Sequence, residues 1–275
     1  MKKSYLLVFL AVAVAGYYAS SHLRNSGRVL RIGVECDYAP NNWLENVPTE
    51  TNFPIVNDEG HYAEGYDLQI AKLVADGLNM KLEVKKIAWN DLKDALNNGE
   101  IDAIFSGMLD TSERKKFAAF SNTYEITRTE YTIAVNTSSP YVNAKSLSDF
   151  SGARLVAQEG THLNDVIDQI EGVVHLPPVE TVTKMLEMVI DGKVDGTVIN
   201  LDTGQSYERK HKNVKVIRFP EGEGFKLDYS GICAGVRKND TKLLGDINAA
   251  LAKISRRDRQ KIMDRTIARV FQVMP

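Results

Sequence analysis

The chain has 275 residues, of which 43% are hydrophobic and 25% are charged, with a formal net charge of −2 at pH 7. These proportions are ordinary for a globular protein and exclude a mainly disordered or fibrous chain. With no net positive charge there is no reason to expect a nucleic-acid partner. The length suffices for one large domain or for two modest domains with cores of their own.

A short apolar segment near the N-terminus is typical of a secretory signal. Lys2 and Lys3 precede the apolar run Tyr5–Ala19, which is short for a membrane span but has the length of a signal-peptide core. We therefore expect residues 1–26 to be a signal peptide or an uncleaved N-terminal anchor. The rest of the chain is then expected outside the cytoplasm, in the periplasm or at the outer cell surface.

From residue 29 onward, strand and helix patterns alternate. The patterns of the first half predict a strand over 29–35, a helix over 66–78, a strand over 81–87, a short helix over 91–99, and strands over 102–107 and 129–136. Asp67 and Asn90 stand where helix N-caps are expected, and Gly99 where a helix ends. The alternation predicts an α/β protein with a mostly parallel sheet, not a sandwich or a helical bundle.

The second half repeats this rhythm. Its predicted elements are a strand over 153–160, helices over 162–172 and 179–192, strands over 194–200, 214–219 and 231–238, and helices over 240–254 and 257–271. Thr161 is placed to cap the first of these helices.

Two passages share one pattern, "LNNGEIDAIFSGM" (96–108) and "VIDGKVDGTVINL" (189–201). In each, a helix ends at a glycine, an aspartate follows, and a strand ends in polar residues. The carboxyl ends of parallel strands are where α/β sheets bind ligands. Two such ends that face each other across a cleft would form a two-sided site.

The reactive residue types show no catalytic or metal-binding pattern. Cys36 and Cys233 lie far apart in no metal-like spacing. We interpret them as two small buried residues, with a long-range disulfide as the alternative. The sequence contains no GxSxG, HExxH or Walker A motif, so we expect neither a cofactor nor a metal.

Five segments stand in order along the chain: "LRIGVECDYAPNNW", "GYDLQIAKLVADGL", "IAWNDLKDALNNGEIDAIFSGM", "TSERKKFAAFSNTYE" and "AKSLSDFSGARLVAQEGT". Together they resemble the extracytoplasmic (periplasmic-type) binding proteins of ABC importers for polar amino acids, family 3, and the resemblance extends from Val29 to the C-terminus. Each segment alone is degenerate, but the ordered set is specific.

The resemblance implies a type II periplasmic-binding-protein fold, in which two α/β lobes are joined by two crossover strands and enclose the ligand in the cleft. Lobe one would comprise residues 27–125 and 227–275, and lobe two residues 126–226. The implied protein is a monomer that binds a polar, in particular a basic, amino acid and delivers it to the permease subunits of the transporter.

The resemblance also assigns roles to particular residues. Arg114 is expected to grip the carboxylate of the ligand with its planar fork of donors. Further donors are expected from backbone N–H groups near the end of the strand over 102–107. Others are expected at the start of the helix over 162–172, the first helix of lobe two. The residues concerned are Ser106, Gly107, Met108, Leu109, Thr161 and His162. Tyr38 and Trp89 match aromatic positions that flank the ligand side chain, and Glu35 matches an acidic position that faces a cationic side chain.

Two positions depart from the family pattern. Leu109 stands where relatives have serine or threonine, and Asn200 stands where an acidic residue receives the α-ammonium group. Asn200 can accept a hydrogen bond but offers no countercharge. Asp202 lies nearby but is offset by two residues. The departures leave open a modified amino acid, a small peptide-like compound or a carboxylate without the amine.

Two other functions are compatible with the same scaffold. One is an enzyme of the cyclohexadienyl or arogenate dehydratase type, in which a cleft acid serves as general acid. The other is a ligand sensor that reports to a separate membrane receptor.

Overall fold

The computed structural model describes residues 27–124, 130–227, 229 and 231–273. The predicted signal peptide or anchor lies outside the described residues, as do positions 125–129, 228 and 230, where the predicted lobe boundaries and crossovers fall. None of the helices in the described part of the chain has the length and apolar character that a membrane span requires.

The described chain contains strands that form three sheets. In chain order they are β1 (Val29–Val34), β2 (Asp37–Tyr38), β3 (Asn42–Glu45), β4 (Phe53–Pro54), β5 (Tyr62–Glu64), β6 (Lys81–Lys86), β7 (Ala103–Ile104), β8 (Ala118–Phe120), β9 (Tyr131–Asn136), β10 (Arg154–Val156), β11 (Val174–His175), β12 (Gly196–Asn200), β13 (Val214–Ile217) and β14 (Gly235–Arg237).

Two five-stranded sheets have the same arrangement. The first has the order β6-β1-β7-β14-β8, and the second has the order β11-β10-β12-β9-β13. In each sheet the first three strands are parallel, and the last two pair antiparallel to their neighbours. A smaller antiparallel sheet, β2-β3-β5-β4, lies beside them. The two large sheets are the centres of two α/β lobes.

The prediction of a mostly parallel sheet is therefore only half right. The antiparallel strands β14 and β9 are the first strands that their sheets receive after the chain passes from one sheet to the other. Because the chain then enters from the opposite direction, these strands run against their neighbours. The alternation of strand and helix patterns in the sequence does not reveal this reversal.

The helices pack on the faces of the sheets. They are α1 (Tyr66–Gly77), α2 (Leu92–Asn97), α3 (His162–Asp165), α4 (Val182–Ile190), α5 (Leu201–Lys210), α6 (Thr241–Leu251) and α7 (Arg256–Val273). In α1 the fully buried residues Leu68, Ala71, Val74 and Ala75 repeat at a spacing of three, three and one, which is one face of a helix. This face packs in the same apolar cluster as Leu30, Ile32 and Val34 of β1.

Two of the predicted N-caps, Asp67 and Asn90, were wrong. The N-cap of α1 is Gly65, and Asp67 lies in the first turn with its side chain buried. No side chain caps α2, and the Asn90 amide donates instead to Glu159 Oε2 at 3.1 Å. In both cases the polar side chain has a tertiary partner, and that interaction replaces local capping.

Asp67 is the centre of a buried hydrogen-bond network. Tyr124 Oη donates to Asp67 Oδ1 at 2.7 Å, Asn42 Nδ2 donates to Oδ2 at 2.8 Å, and Tyr66 Oη donates to the Tyr124 carbonyl at 2.7 Å. Burial raises the pKa of Asp67 to about 6, although hydrogen bonds from Tyr124, Asn42 and the Gly107 backbone oppose the shift. The network ties helix α1 to the last described residue before the passage to the second lobe.

Removing one hydroxyl should show how much this network stabilises the fold. We expect Tyr124→Phe to lower the free energy of unfolding by about 1–3 kcal/mol, because the buried Asp67 carboxylate loses a donor. Tyr141→Phe is a matched control, since Tyr141 is only half-buried and stacks on Phe150. The measurement is urea unfolding of both variants at pH 7.5. Equal stability of Tyr124→Phe and the wild type would contradict the structural role of the network.

Candidate functional site

A cavity of about 390 Å³ lies between the two lobes, where strands of both sheets end. Residues that follow β1 and β7 line the cavity from one side. Residues that follow β10, together with the last residue of β12, line it from the other side. The lining residues are Glu35, Tyr38, Trp89, Ser106, Gly107, Leu109, Arg114, Tyr131, Gln158, Thr161, His162, Leu163 and Asn200. The two-sided arrangement expected from the repeated strand-end pattern is thus present.

The structure brings together all but one of the predicted site residues. Met108 does not line this cavity: it packs against Leu92 and Ile104 and lines an adjoining outer cavity, which also touches Trp89 and Arg114. Asp202, the nearby carboxylate, is exposed and does not line the cavity.

Arg114 is a buried cation without an acidic partner. It begins the 3₁₀ turn Arg114–Lys116 and is 9% exposed. Its Nη1 donates to the Leu109 carbonyl at 3.2 Å and its Nη2 to the Gly160 carbonyl at 3.5 Å. Across the described chain, no carboxylate lies within ion-pair distance of the guanidinium. Burial lowers the pKa of Arg114 to about 10, so the group is still charged at pH 7.

The ring of Trp89 holds the guanidinium in place. Arg114 Cζ lies 4.9 Å from the ring centroid, and Trp89 Nε1 donates to the Gly160 carbonyl at 3.0 Å. A cation over an aromatic face is stabilised by the quadrupole of the ring. Trp89 therefore fixes the plane of the donor fork while it lines the cavity.

Glu35 supplies the acidic group of the cavity wall and is 7% exposed. Its carboxylate accepts a hydrogen bond from Gln158 Nε2 of the other lobe, and its backbone N–H donates to Ser106 Oγ at 3.0 Å. Burial raises the pKa of Glu35 to about 8; the charge of Asp37 adds to this shift, and the bond from Gln158 opposes it.

Gly107 lets Tyr38 close one side of the cavity. The backbone of Gly107 has a φ of 62°, and a Cβ atom at this position would lie 2.6 Å from Tyr38 Cε1. A side chain would be strained by the backbone and would also displace the ring. Glycine therefore permits the close approach of Tyr38 to the end of β7.

The second lobe contributes polar and aromatic groups. Thr161 precedes α3 but does not cap it with its side chain; Thr161 Oγ1 instead donates to the Gln158 carbonyl at 2.7 Å. The His162 ring packs against Tyr131 with a centroid distance of 5.8 Å. Asn200 is buried at the end of β12, where its side chain lines the cavity.

Hydrogen bonds across the cleft hold the two lobes together. Asp37 accepts from the backbone N–H of Thr183 at 3.1 Å and from its Oγ1 at 2.5 Å. The bonds from Gln158 to Glu35, from Trp89 to Gly160 and from Asn90 to Glu159 also cross between lobes. The structure is therefore a closed form of the cleft.

Three lining residues escaped the sequence analysis: Tyr131, Gln158 and Leu163. Gln158 carried a detectable signal, because it is a long polar residue directly after the buried strand β10 in a segment that belongs to the family pattern. Tyr131 and Leu163 are apolar or aromatic residues in regular elements and are indistinguishable from core residues in the sequence.

The cysteines follow the first of the two interpretations. Cys36 and Cys233 are both buried and are not joined by a disulfide. Burial raises the pKa of the Cys36 thiol to about 12. Within the described ranges, no group of three or more His, Cys, Asp or Glu side chains is placed to hold a metal ion.

Comparison with known proteins identifies the class. The profile of the bacterial extracellular solute-binding proteins, family 3, matches residues 30–267. The chain therefore belongs to this family.

Individual relatives are distant but cover most of the chain. A probable histidine-binding protein of Neisseria gonorrhoeae is 26% identical, over 90% of this chain and 86% of its own. An arginine-binding extracellular protein of Bacillus subtilis is 22% identical, over 92% of each chain. Among solved structures, an amino acid ABC transporter substrate-binding protein from Streptococcus pneumoniae, bound to L-arginine, superposes with a TM-score of 0.76 at 17% identity, over 90% of this chain and 97% of its own. Holo ArgBP from T. maritima superposes with a TM-score of 0.66 at 26% identity, over 84% and 92%.

The buried carboxyl of Glu35 should make stability depend on pH. The pKa of Glu35 rises from its usual 4.5 to about 8 in the folded chain, so between these values the unfolded chain binds fewer protons than the folded chain. The free energy of unfolding of the wild type should therefore fall, relative to Glu35→Gln, as the pH rises from about 4.5 to about 8.

The measurement is urea unfolding of the wild type and Glu35→Gln at pH 5 and pH 8.5. Other titrating groups are common to both proteins and cancel in the difference. Glu100→Gln removes an exposed carboxyl and is the control, for which we expect no change between the two pH values. A pH-independent difference for Glu35→Gln would contradict the raised pKa.

Proposed function

We propose that the chain is the extracytoplasmic substrate-binding component of an amino-acid ABC importer, and that it binds a polar amino acid with a cationic side chain in the cleft. The observation that carries the proposal is the buried guanidinium of Arg114 without a carboxylate partner in the described chain. Burial of an uncompensated charge is costly, so the site favours an anionic group of the ligand. Relatives named for arginine and histidine binding support this class of ligand.

The carboxylate of the ligand is proposed to bind the free donors of the Arg114 fork. Only one N–H of each terminal nitrogen is used by the bonds to Leu109 and Gly160, so the guanidinium retains donors for the cavity. Bonds to an ionised acceptor are short and strong. Backbone N–H groups of Ser106 and Leu109 are the proposed additional donors, since the N–H of Gly107 is already bonded to Asp67. Thr161 and His162 would complete the carboxylate side from the other lobe.

The cationic end of the ligand is proposed to face Glu35. Entry of a cation favours the ionised carboxylate, so binding would release a proton from Glu35 at neutral pH. Tyr38 and Trp89 are proposed to flank the aliphatic part of the ligand, with Tyr131 as a third aromatic wall. Asn200 can accept or donate one hydrogen bond from the end of β12.

The transport cycle needs no covalent step by this chain. The ligand enters an open cleft, the lobes close on it, and hydrogen bonds from Gln158, Thr183 and Asn90 across the cleft secure the closed form. The closed monomer then docks on permease subunits in the membrane. The predicted signal peptide or anchor would place this cycle in the periplasm or at the outer cell surface. The lobes that close are proposed to meet at boundaries near residues 125 and 227.

One observation favours a second function on the same scaffold. A buried carboxyl whose pKa is about 8 is protonated at neutral pH and can serve as a general acid. Glu35 meets this requirement, and a dehydratase of cyclic amino-acid precursors would need such a general acid. Turnover of prephenate or arogenate would support the enzyme, whereas saturable binding of an amino acid without turnover supports the receptor.

One test of the proposed function concerns the role of Arg114 in ligand binding. We expect the full chain to gain about 4 kcal/mol of stability with a ligand at about a thousand times its dissociation constant. For a chain of this size that raises the melting midpoint by about 10 °C. Arg114→Ala should lose the response, because the ligand carboxylate loses its charge-assisted bonds at a cost of about 2–5 kcal/mol.

The measurement is a thermal-shift screen of the full chain against the common amino acids, ornithine, citrulline and prephenate, with prephenate turnover followed separately. Lys116→Ala is the control, since Lys116 lies in the same 3₁₀ turn but is exposed. A response to an amino acid that survives in Arg114→Ala would refute the carboxylate assignment. A screen in which no amino acid raises the midpoint would refute the proposed function.

A separate test concerns the contribution of Glu35 to the selectivity of the site. We expect Glu35→Gln to weaken binding of lysine or arginine at least tenfold, because the cation loses its countercharge, and to change binding of citrulline less than threefold. These thresholds correspond to about 1.4 and 0.6 kcal/mol. Titration calorimetry at pH 8.5 measures both, with Glu100→Gln as the control variant. An equal effect on charged and uncharged ligands would remove Glu35 from the selective role.

A further inference from the structure

The cavity wall carries one ionisable carboxyl group, Glu35, and one guanidinium, Arg114, in fixed positions. Among the lining residues that the structure describes, Glu35 is the single carboxyl group and Arg114 the single guanidinium, and the two form no ion pair with each other. The remaining wall consists of amide, hydroxyl, imidazole, aromatic and aliphatic groups. A ligand with one anionic and one cationic group matches this wall in charge.

A basic α-amino acid brings one cation more than the wall can match. Its α-ammonium lies on the same carbon atom as the carboxylate and would therefore lie near Arg114. The nearby carbonyl oxygens already accept hydrogen bonds, and as neutral groups they offer an ammonium no countercharge. The Leu109 carbonyl accepts from Arg114, the Gly160 carbonyl from Arg114 and Trp89, and the Gln158 carbonyl from Thr161.

The carboxylates around the cavity are directed elsewhere. Asp37 is held by Thr183, Asp110 lies 2.8 Å from Lys115 Nζ, and Asp202 is exposed. Asp165 lines the outer cavity, from which its charge acts on Arg114 without forming an ion pair. None of them lines the cavity. An α-ammonium would consequently be buried opposite neutral groups such as Asn200, and a buried ammonium without a countercharge is costly.

We propose that the preferred ligands of this cavity are carboxylic acids with a single cationic group, amino or guanidino, at the far end of the chain and no α-ammonium group. The inference rests on the proposed function, because it assumes that Arg114 holds the carboxylate and Glu35 the distal cation. It adds that the wall between these two groups selects against a second cation. The burial that raises the pKa of Glu35 supports this reading, since one distal cation suffices to ionise the carboxyl.

Matched ligand pairs test the inference with the unaltered full chain. The pairs are L-arginine with 5-guanidinopentanoate and L-lysine with 6-aminohexanoate, and within each pair the ligands differ only in the α-ammonium. In titration calorimetry at pH 7.5 we expect the acid without the α-ammonium to bind about tenfold more tightly in each pair. Hexanoate, which lacks the distal cation, should bind at least tenfold more weakly than 6-aminohexanoate.

The possible results separate the inference from the proposed function. Equal or tighter binding of the α-amino acids would overturn the inference and leave the proposed function intact. Equal binding of hexanoate and 6-aminohexanoate would overturn it too, because the distal cation would then not be recognised. If no ligand of either pair binds, the proposed function fails, and the inference fails with it.

A charge added to the wall should reverse the preference. Asn200→Asp places a carboxylate in the cavity with little change in shape, and we expect it to shift the affinity ratio within each pair at least tenfold towards the α-amino acid. Asn239→Asp adds the same charge at an exposed position outside the cavity and should leave the ratio unchanged. An unchanged ratio in a folded Asn200→Asp protein would overturn the inference, and the wild-type pairs decide it if that variant does not fold.

Discussion

A buried guanidinium without an ion pair in the described part of the chain is the constraint on which the site depends. Arg114 is fixed by two carbonyl groups and one aromatic ring, which orient it, and the charge of Asp165 acts on it only beyond ion-pair distance. Such an arrangement is unfavourable in an empty cavity and becomes favourable when an anion arrives. The carbonyl of Gly160 and the ring of Trp89 belong to opposite lobes, so the orientation of Arg114 and the closure of the cleft reinforce each other.

The symmetry of the two sheets explains how one chain builds a wall of this kind. Each sheet has three parallel strands, and the carboxyl ends of β1 and β7 on one side face those of β10 and β12 on the other. Loops at these ends carry Glu35, Gly107, Gln158 and Asn200 into a common space. The proposed charge selection therefore involves both lobes, because Glu35 comes from one and its hydrogen-bond partner Gln158 from the other.

Much of this could be predicted from local patterns, and the failures have physical causes. Strand-end residues such as Ser106 and Asn200 were found because hydrophobic periodicity stops where they begin, and Arg114 was assigned through the family pattern. The N-caps failed at Asp67 and Asn90 because tertiary partners compete with the helix N-terminus for the same polar side chain. The position of Gln158 after a buried strand was a detectable signal, but its contact with Glu35, 123 positions away, leaves no local signal and arises only when the lobes close.

Closure and protonation are linked at Glu35. The Gln158 amide stabilises the charged form of the Glu35 carboxyl, whereas burial in the closed cleft destabilises it, and burial dominates, since the pKa is about 8. A closed cleft without a cation therefore holds a neutral Glu35 at pH 7, and a closed cleft with a cation holds an ionised one. Opening returns the carboxyl to water, where its pKa falls. Closure on a cation therefore releases a proton from Glu35, whereas closure on a neutral ligand does not. Under the proposed function, pH then changes the preference between cationic and neutral ligands as well as the affinity for each.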